Sequence, residues 1–398
     1  MKRQKKWVKF RHRVVRFLLS GPLGAYNKLK YNIKLDKFKS DIKGPYLILY
    51  NHQTAFDQFF VGVSFREPIY YVATEDIFSN GWVSSMIRYL VEPIPIKKQT
   101  TDVRAILNCM KVMKEGGTIA IAPEGNRTYS GKTVYMRPAI APLARKLGAP
   151  ILLYRIEGGY GVHPRWSDTV RRGRMRGYVS RIITPEEYSK MTDDELFAEI
   201  ERELYVNEAC LDGEYRGKRL AEYLERSMYV CPDHGISRFE SHGDVIECKE
   251  CGKRIRYTKT KELIGEGFDF PYRFVSDWYD YQSDYINSID PRDFGGSPHY
   301  IDKVDLYEVI PYKRKQLIKE GAEISFFGDG LCLDGERCDF DSISAIAVLG
   351  RNKLNVYHGD KVYQMKGDKH FCALKYVQIY YRYNNVKKGD NNVQFLGL

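Results

Sequence analysis

Apolar and polar residues follow each other along the first half of the chain in a pattern typical of alternating strands and helices. Short apolar runs, each suited to one buried strand, occur at Tyr46–Leu49, Ile69–Ala73, Ile94–Ile96, Thr118–Ala122 and Ile151–Ile156. Between these runs apolar residues recur at helical spacing, as they do from Asp102 onward and over Ala139–Leu147. This alternation predicts an α/β sheet with helices on its faces.

Polar residues with chemical potential follow two of the predicted strands. Asn51–Asp57 follows the first, and Pro123–Thr128 follows the fourth. Asp57 falls in the first turn of the next helix, where the helix dipole favours a carboxylate and the turn can bring it against His52. A histidine held by a carboxylate can act as a general base, although a structural pair would have the same sequence. Because ligands collect at the carboxyl ends of strands, we expect both turns to share one site.

These turns resemble two motifs of the glycerolipid acyltransferases that acylate lysophosphatidic acid. His52 and Asp57 match the H-x-x-x-x-D motif, and Pro123–Arg127 is similar to the E-G-T-R motif, with Asn126 in place of threonine. Two weaker motifs are partly present. Pro93–Lys98 occupies the place of a segment that usually ends in arginine, and Gly148–Leu153 resembles a fourth motif without its second proline. The resemblance covers residues 40–210.

The resemblance implies a membrane-associated enzyme that moves a fatty acyl group from acyl-CoA or acyl-ACP to the hydroxyl of a lysophospholipid. It makes His52 the base and Asp57 its partner. It also implies that an acceptor site is formed by Lys97, Glu124, Gly125, Asn126 and Arg127. A guanidinium can hold phosphate in bidentate fashion, so we expect Arg127, with Lys97, to bind the acceptor phosphate. Gly125 permits a tight turn, and Glu124 could orient Arg127.

Charge adds a membrane-binding prediction at the N-terminus. The net charge is +12, and residues 1–35 contain eleven Lys or Arg and no acidic residue. Trp7, Phe10, Val14 and Phe17 recur among them at helical spacing, which predicts a basic amphipathic helix on an anionic membrane surface. A solvated tail or a nucleic-acid-binding arm is the alternative.

The apolar part of this segment is too short for a transmembrane helix or a signal peptide. Arg16 interrupts it, and Gly21-Pro22 closes it after a few residues. We therefore expect a cytoplasmic protein that is peripheral on the cytoplasmic face of a membrane. The scattered cysteines outside one cluster agree with a reducing compartment.

That cluster predicts a structural zinc site. Cys231-Pro232-Asp233-His234-Gly235 and Cys248-Lys249-Glu250-Cys251-Gly252 are paired knuckles whose four ligands can surround Zn²⁺ tetrahedrally. Such a zinc ribbon leaves no position for substrate, so the metal would be structural. His242 is the reserve ligand.

The 398 residues are too many for one ordinary core, and 43% of them are hydrophobic. We expect a membrane-binding segment at 1–35, an acyltransferase domain at 36–225, a zinc ribbon at 226–258, a linker at 259–300 and a small β domain with a C-terminal helix at 301–398. Short alternating runs and Gly-Asp turns indicate the last domain, whose pattern resembles a PH or GRAM-like domain. An unrelated small β-barrel fits nearly as well.

Other interpretations remain open at this stage. The five arginines that follow the Gly-rich loop after residue 156 could grip lipid or coenzyme A phosphates or form a solvated hairpin; they are Arg165, Arg171, Arg172, Arg174 and Arg176. A zinc-ribbon nucleic-acid-binding protein would leave His52, Asp57 and Arg127 without a role, so no nucleic acid is expected as partner. A catalytically inactive lipid-binding scaffold is the third possibility. The sequence does not name the acceptor or the donor.

Overall fold

The computed structural model describes residues 6–79, 81–96, 102–310 and 315–389. Its helices are α1 (Phe10–Tyr31), α2 (Asp57–Ser64), α3 (Trp82–Val91), α4 (Val103–Lys114), α5 (Ile140–Leu147), α6 (Gly159–Val162), α7 (Pro185–Tyr188), α8 (Asp193–Leu204), α9 (Val275–Ser288) and α10 (Ala373–Lys387). Its strands are β1 (Ile33–Leu35), β2 (Leu47–Tyr50), β3 (Ile69–Thr74), β4 (Ile94–Ile96), β5 (Thr118–Ile121), β6 (Ile151–Glu157), β7 (Met175–Ile183), β8 (Val230–Cys231), β9 (Gly235–Ile236), β10 (Phe239–His242), β11 (Val245–Cys248), β12 (Arg254–Tyr257), β13 (Leu263–Gly265), β14 (Tyr300–Glu308), β15 (Gln316–Phe326), β16 (Gly330–Leu333), β17 (Glu336–Asp339), β18 (Ile343–Leu349), β19 (Lys353–His358) and β20 (Lys361–Gly367).

The N-terminal domain is built on a mixed sheet with the strand order β1-β7-β6-β2-β5-β3-β4. Strand β2 lies at its centre and pairs in parallel with both β5 and β6, with Leu47 opposite Ile119 and Ile151. Leu47, Ile48 and Leu49 are fully buried because helices cover both faces of this strand. The prediction of an α/β sheet with flanking helices is confirmed. The carboxyl ends of β2 and β5 lie side by side.

Helix α1 is longer than the apolar run in its sequence. The run closes at Gly21-Pro22, but the helix continues through Pro22 to Tyr31 and ends at Asn32, which has a left-handed backbone. Proline removes one helical donor, and here it lies on the exposed side of the helix, where water can solvate the freed carbonyl group. The helix therefore extends beyond the apolar run.

Trp7 does not belong to the exposed face of this helix. It precedes α1, is buried in the core beneath the sheet, and donates its backbone N–H to Glu115. Phe10 and Phe17 are each 79% exposed. Among the described residues, no helix is long and apolar enough to cross a membrane.

A small cysteine-containing sheet and a helix separate the two large sheets in sequence. Strands β10, β11, β12 and β13 form a four-stranded antiparallel sheet, beside the β8–β9 pair. Residues 259–300, expected to be a linker, contain β13 and helix α9. Val275, Trp278 and Ile286 of α9 are fully buried, so this stretch contributes to the core.

The C-terminal domain is an antiparallel sheet with the order β17-β16-β15-β14-β20-β19-β18, followed by α10. Leu374, Val377 and Ile379 of α10 are fully buried in the core of this domain. The predicted, mostly β domain with a C-terminal helix is confirmed.

Candidate active site

His52 and Asp57 form a hydrogen-bonded pair at the carboxyl end of β2. Nδ1 of His52 lies 2.7 Å from Oδ2 of Asp57. The aspartate is fully buried, whereas the histidine side chain is 22% exposed. Nε2 of His52 has no hydrogen-bond partner among the described residues. A carboxylate on one ring nitrogen fixes the tautomer that leaves the other nitrogen able to accept a proton.

The sequence between the two residues forms a cradle for the aspartate. The backbone N–H groups of Gln53 and Thr54 donate to Oδ2 of Asp57, at 2.7 and 2.9 Å, and the Thr54 hydroxyl donates to Oδ1 at 2.6 Å. These donors and the N-terminus of α2 stabilise a buried negative charge that water cannot reach. The fixed carboxylate holds the His52 ring in turn.

Asn51 closes the other side of this turn. Its side-chain amide exchanges two hydrogen bonds with the backbone of Ile156, at 2.9 and 2.7 Å. Asn51 is fully buried. The end of β2 is thereby fixed against the end of β6, so the residue that precedes His52 is a structural clamp.

Glu124 contacts the backbone of the His52 turn and makes no hydrogen bond to Arg127. Its Oε1 accepts from the His52 N–H at 2.6 Å, and its Oε2 accepts from the Val134 N–H at 2.9 Å. The expectation that Glu124 orients Arg127 is therefore wrong, because β5 delivers this carboxylate beneath the neighbouring strand end. Burial raises the pKa of Glu124 to about 8, and its two backbone donors oppose that rise.

The remaining predicted acceptor-site residues lie on the same turn, with one exception. Gly125 has a φ of +68°, which favours glycine, and it is exposed. Asn126 is buried. Lys97 lies outside the described residues.

Arg127 reaches the C-terminal domain. Its Nη2 donates to the carbonyl of Gly350, at 3.3 Å, and this is the only hydrogen bond of its guanidinium among the described residues. Burial, followed by the charges of Arg165 and Arg351, lowers its pKa to about 9. No carboxylate of the described residues pairs with it, so its charge is available to an anion.

A large cavity opens beside His52. It has a volume of about 990 Å³, and His52, Glu124 and Arg127 are among the residues that border it. Apolar side chains from α1, α2, α3, α5 and the sheet line much of the rest, among them Val15, Leu19, Phe59, Ile69, Met86, Leu90, Ile121 and Leu143. A base, a guanidinium and an apolar chamber therefore share one space, which suits a ligand with a charged head and a long hydrocarbon chain.

Comparison with known proteins agrees with this arrangement. Residues 30–156 match the family described as Acyltransferase. The chain carries a domain of the glycerolipid acyltransferase family. This acyltransferase domain contains both strand ends of the site.

Two curated relatives are 1-acyl-sn-glycerol-3-phosphate acyltransferases. The protein from Bacillus subtilis (strain 168) is 22% identical over 181 residues, which are 45% of this chain and 83% of that protein. The chloroplastic BAT2 of Brassica napus is 23% identical over 170 residues, which are 39% of this chain and 48% of that protein. The chain thus spans about half the length of the chloroplastic relative.

A solved structure is also similar. The crystal structure of the 1-acyl-sn-glycerophosphate (LPA) acyltransferase PlsC from Thermotoga maritima gives a TM-score of 0.39 at 22% identity. The similarity covers 47% of this chain and 77% of that chain.

Outside the acyltransferase domain, the predicted metal ligands come together. Cys231, His234, Cys248 and Cys251 place one ligand atom each within 4.8 Å of one another. Cys231 Sγ lies 3.8 Å from His234 Nδ1 and 4.0 Å from Cys251 Sγ, which is close to the edge of a tetrahedron of such ligands around Zn²⁺. The reserve ligand His242 is exposed and bonds to Glu240, so it lies outside the cluster.

A further relative is short. Subunit 12 of the DNA-directed RNA polymerases II, IV and V of Arabidopsis thaliana is 45% identical over 40 residues, which are 10% of this chain and 78% of that protein. A 40-residue segment of the chain therefore belongs to the family of that subunit.

The arginines after β6 divide into two groups. Arg165 and Arg171 are buried and donate mainly to backbone carbonyls, including those of Arg127 and Leu220. Arg172, Arg174 and Arg176 are exposed, and Arg176 pairs with Asp36. Charge alone does not distinguish the two groups. The signal that distinguishes the first two is their position beside Trp166, over whose ring Arg171 lies.

Proposed function

We propose that the protein transfers a fatty acyl group from an acyl thioester to the free hydroxyl of a lysophospholipid, with lysophosphatidic acid as the first candidate acceptor. The observation that carries the proposal is the His52–Asp57 pair, whose open nitrogen borders the same cavity as Arg127. The names of the two curated relatives support this acceptor. The donor is acyl-CoA or acyl-ACP.

In this reaction Nε2 of His52 takes the proton of the acceptor hydroxyl. The oxygen attacks the thioester carbonyl, an ester C–O bond forms, and the C–S bond breaks. The thiolate that leaves takes the proton from His52, which returns the histidine to its neutral form for the next turnover. Asp57 stabilises the imidazolium while it exists, and Arg127 holds the acceptor phosphate.

We further propose that α1 and α3 bind the protein to an anionic membrane surface on its cytoplasmic side. The two helices contact each other and expose large apolar side chains, which we call the α1–α3 face: Phe10, Val14, Phe17, Leu18, Trp82, Met86 and Tyr89. Arg11 lies over the ring of Tyr89, at 4.3 Å, and Arg13 and Lys28 are exposed nearby in sequence. Burial of apolar side chains and attraction of basic ones act together on such a membrane.

We assign a structural Zn²⁺ to Cys231, His234, Cys248 and Cys251. Four protein ligands complete a tetrahedral site and leave no position for substrate. The ion would hold the two knuckles of the ribbon together, far along the chain from His52. Gly235 and Gly252, each with a positive φ, allow the knuckles to turn.

The decisive test is mass spectrometry of the lipids formed from a thioester donor and a mixed panel of lysolipids. The wild type is expected to form a diacyl lipid. His52→Ala should reduce turnover by about 10²- to 10⁴-fold, the share that a general base supplies, while the protein stays folded. His242→Ala removes an exposed histidine and is the matched control. Equal turnover by wild type and His52→Ala would remove the mechanism.

A second candidate function rests on the short relative. Because that relative is a subunit of DNA-directed RNA polymerases, nucleic-acid binding by the corresponding segment is the alternative. A salt-dependent titration with nucleic acid, alongside flotation with anionic vesicles, separates the two. An inactive lipid-binding scaffold would bind vesicles but turn over no thioester.

A further inference from the structure

The turn that joins β18 to β19 brings the C-terminal domain to the proposed active site. We call Leu349–Lys353 the interdomain turn. Leu349, Gly350 and Lys353 border the cavity that also contains His52 and Arg127. The family match ends at residue 156, so this wall of the cavity comes from outside the matched region.

One buried arginine fixes the interdomain turn to the turn that carries Arg127. Arg165 is 2% exposed. It donates to the Arg127 carbonyl at 2.8 Å, to the Gly350 carbonyl at 3.2 Å and to the Val348 carbonyl at 3.4 Å. Arg127 itself donates to the same Gly350 carbonyl. The two turns are therefore parts of one hydrogen-bonded unit.

Arg351 holds the tip of the interdomain turn from the other side. Its guanidinium donates to Nε2 of His163 at 2.6 Å and to Oδ1 of Asp168 at 3.2 Å. Oδ1 of Asp168 also accepts a hydrogen bond from Nη1 of Arg226, at 2.7 Å. Asn352 donates to two carbonyls at the end of β20 and the residue after it. Contacts on both sides fix the turn before any ligand binds, which lowers the entropy cost of binding.

The charges around the turn favour an anion. Arg127, Arg165 and Arg351 lie close enough for their charges to act on one another, and Asp168 is the carboxylate that pairs with Arg351. Lys353 borders the same cavity and forms no ion pair within the part of the chain that the structure describes. A phosphate would be attracted here. The ammonium group of a zwitterionic headgroup would meet like charge, which is unfavourable.

We propose that the C-terminal domain completes the acceptor site through the interdomain turn, and that Lys353 makes the site prefer lysolipids with an anionic headgroup over those with a zwitterionic one. Arg351 is a positioning residue that keeps Gly350 beside Arg127. This inference rests on the proposed function, which supplies the lysolipid acceptor.

The test compares Lys353→Glu with Lys361→Glu. Both variants make the same change of charge in the same domain, but Lys361 is exposed in the β19–β20 hairpin and lies outside the residues that border the cavity. Turnover is measured with lysophosphatidic acid, lysophosphatidylglycerol, lysophosphatidylcholine and lysophosphatidylethanolamine. Lys353→Glu should raise KM for the two anionic acceptors by about tenfold or more and leave kcat nearly unchanged. The preference for the anionic acceptors over the zwitterionic ones should fall by a similar factor. Lys361→Glu should match the wild type.

Arg351→Ala tests the positioning role. It should raise KM for all four acceptors without a change of preference, because Asp168 already pairs with the Arg351 charge and a loosened turn misplaces Arg127 for every phosphate. Circular dichroism and thermal melting confirm that the variant is folded. Unchanged KM values would overturn this role.

The inference and the proposed function can fail separately. Direct binding of lysophosphatidic acid and lysophosphatidylcholine to His52→Ala protein, with and without Lys353→Glu, needs no turnover. Loss of the binding preference in Lys353→Glu supports the inference even if the wild type is inactive. If Lys353→Glu and Lys361→Glu show the same preference for lysophosphatidic acid over lysophosphatidylcholine, the inference is wrong. Tighter binding of lysophosphatidic acid by Lys353→Glu would also overturn it, because the turn would then block access to Arg127.

Discussion

The backbone N–H of His52 donates a hydrogen bond of 2.6 Å to Oε1 of Glu124, which joins the ends of two neighbouring strands. The N–H of Thr128 donates back to the His52 carbonyl at 3.3 Å. These bonds fix the position of the proposed base relative to the turn that carries Arg127. Glu124 therefore supports the geometry of both turns without contact to Arg127.

Glu124→Ala should weaken both the fold and the activity. It removes the acceptor of two backbone N–H groups, those of His52 and Val134. Each buried donor left without a partner costs about 1–3 kcal/mol, and the His52 turn loses its support. Acyl transfer should fall by more than about tenfold, since small displacements of a base are costly. Glu124→Gln, which keeps one acceptor oxygen, should lie between.

Thermal unfolding and turnover of these two variants are measured beside Glu336→Ala, which removes an exposed glutamate from β17. Full activity of Glu124→Ala would contradict the supporting role.

Gly125→Ala should reduce activity through the shape of its turn. Gly125 has a φ of +68° and no atom within 4 Å of an added Cβ, so the change introduces backbone strain of about 1 kcal/mol without a clash. Gly243→Ala is the matched control, because Gly243 has a φ of +63° and equal space in the β10–β11 turn. Both variants should lose similar stability in thermal melts, and only Gly125→Ala should lose turnover. Equal turnover in the two variants would argue against a role of this turn in the site.

Acid should loosen the contact between the acyltransferase domain and the interdomain turn. Burial, followed by the charges of Arg351, Arg127, Lys30 and Arg171, lowers the pKa of His163 to about 3 from its usual 6.5. Neutral His163 thus stabilises the fold fully above about 6.5, and this contribution is lost as the pH falls through about 3. Tyr31 also faces its ring, with the hydroxyl 3.5 Å from Nδ1.

The comparison is with His163→Asn, which can still accept from Arg351 but does not titrate. Between pH 7 and 3.5 its melting temperature should fall less than that of the wild type. Parallel curves for the two proteins would show that His163 does not contribute.

Loss of the proposed Zn²⁺ should unfold the ribbon and affect chemistry only indirectly. Cys248→Ser removes one of the four clustered ligands, and we expect elemental analysis to find one zinc per chain in the wild type and much less in the variant. The variant should melt at a lower temperature, with a loss of turnover that follows the loss of folded protein. His242→Ala should keep its zinc. A loss of turnover in fully folded, metal-free protein would indicate a catalytic metal instead.

Substitution of the α1–α3 face should weaken membrane binding. Phe10→Ser combined with Phe17→Ser removes two rings that are each 79% exposed, and each buried aromatic side chain is worth about 1.5–3 kcal/mol. Flotation with anionic vesicles should fall by at least tenfold. Ile318→Ser, which removes a side chain 50% exposed on β15, should bind as the wild type does. Equal flotation of all three proteins would place the membrane contact elsewhere.

Local pattern was sufficient for much of the fold. The apolar run before His52 predicted β2, because a strand buried on both faces needs continuous apolar residues, and the short His52–Asp57 spacing predicted their pairing across a tight turn. The knuckle spacing brought Cys231 and His234 together for the same reason, since residues three positions apart meet within one local turn. In each case neighbours along the chain decide the contact.

Contacts between distant residues were decided by the tertiary structure. Trp7 has helical spacing with Phe10, but it is buried because its side chain packs in the core beneath the sheet and its backbone N–H donates to Glu115. Glu124 was expected to orient Arg127, yet the side-by-side alignment of β5 and β2 directs it to the His52 backbone. The bond from Arg127 to Gly350 joins residues 223 positions apart. The sequence by itself determined the α/β sheet and the proposed base with its carboxylate; domain packing, which no local periodicity encodes, decided what surrounds Arg127.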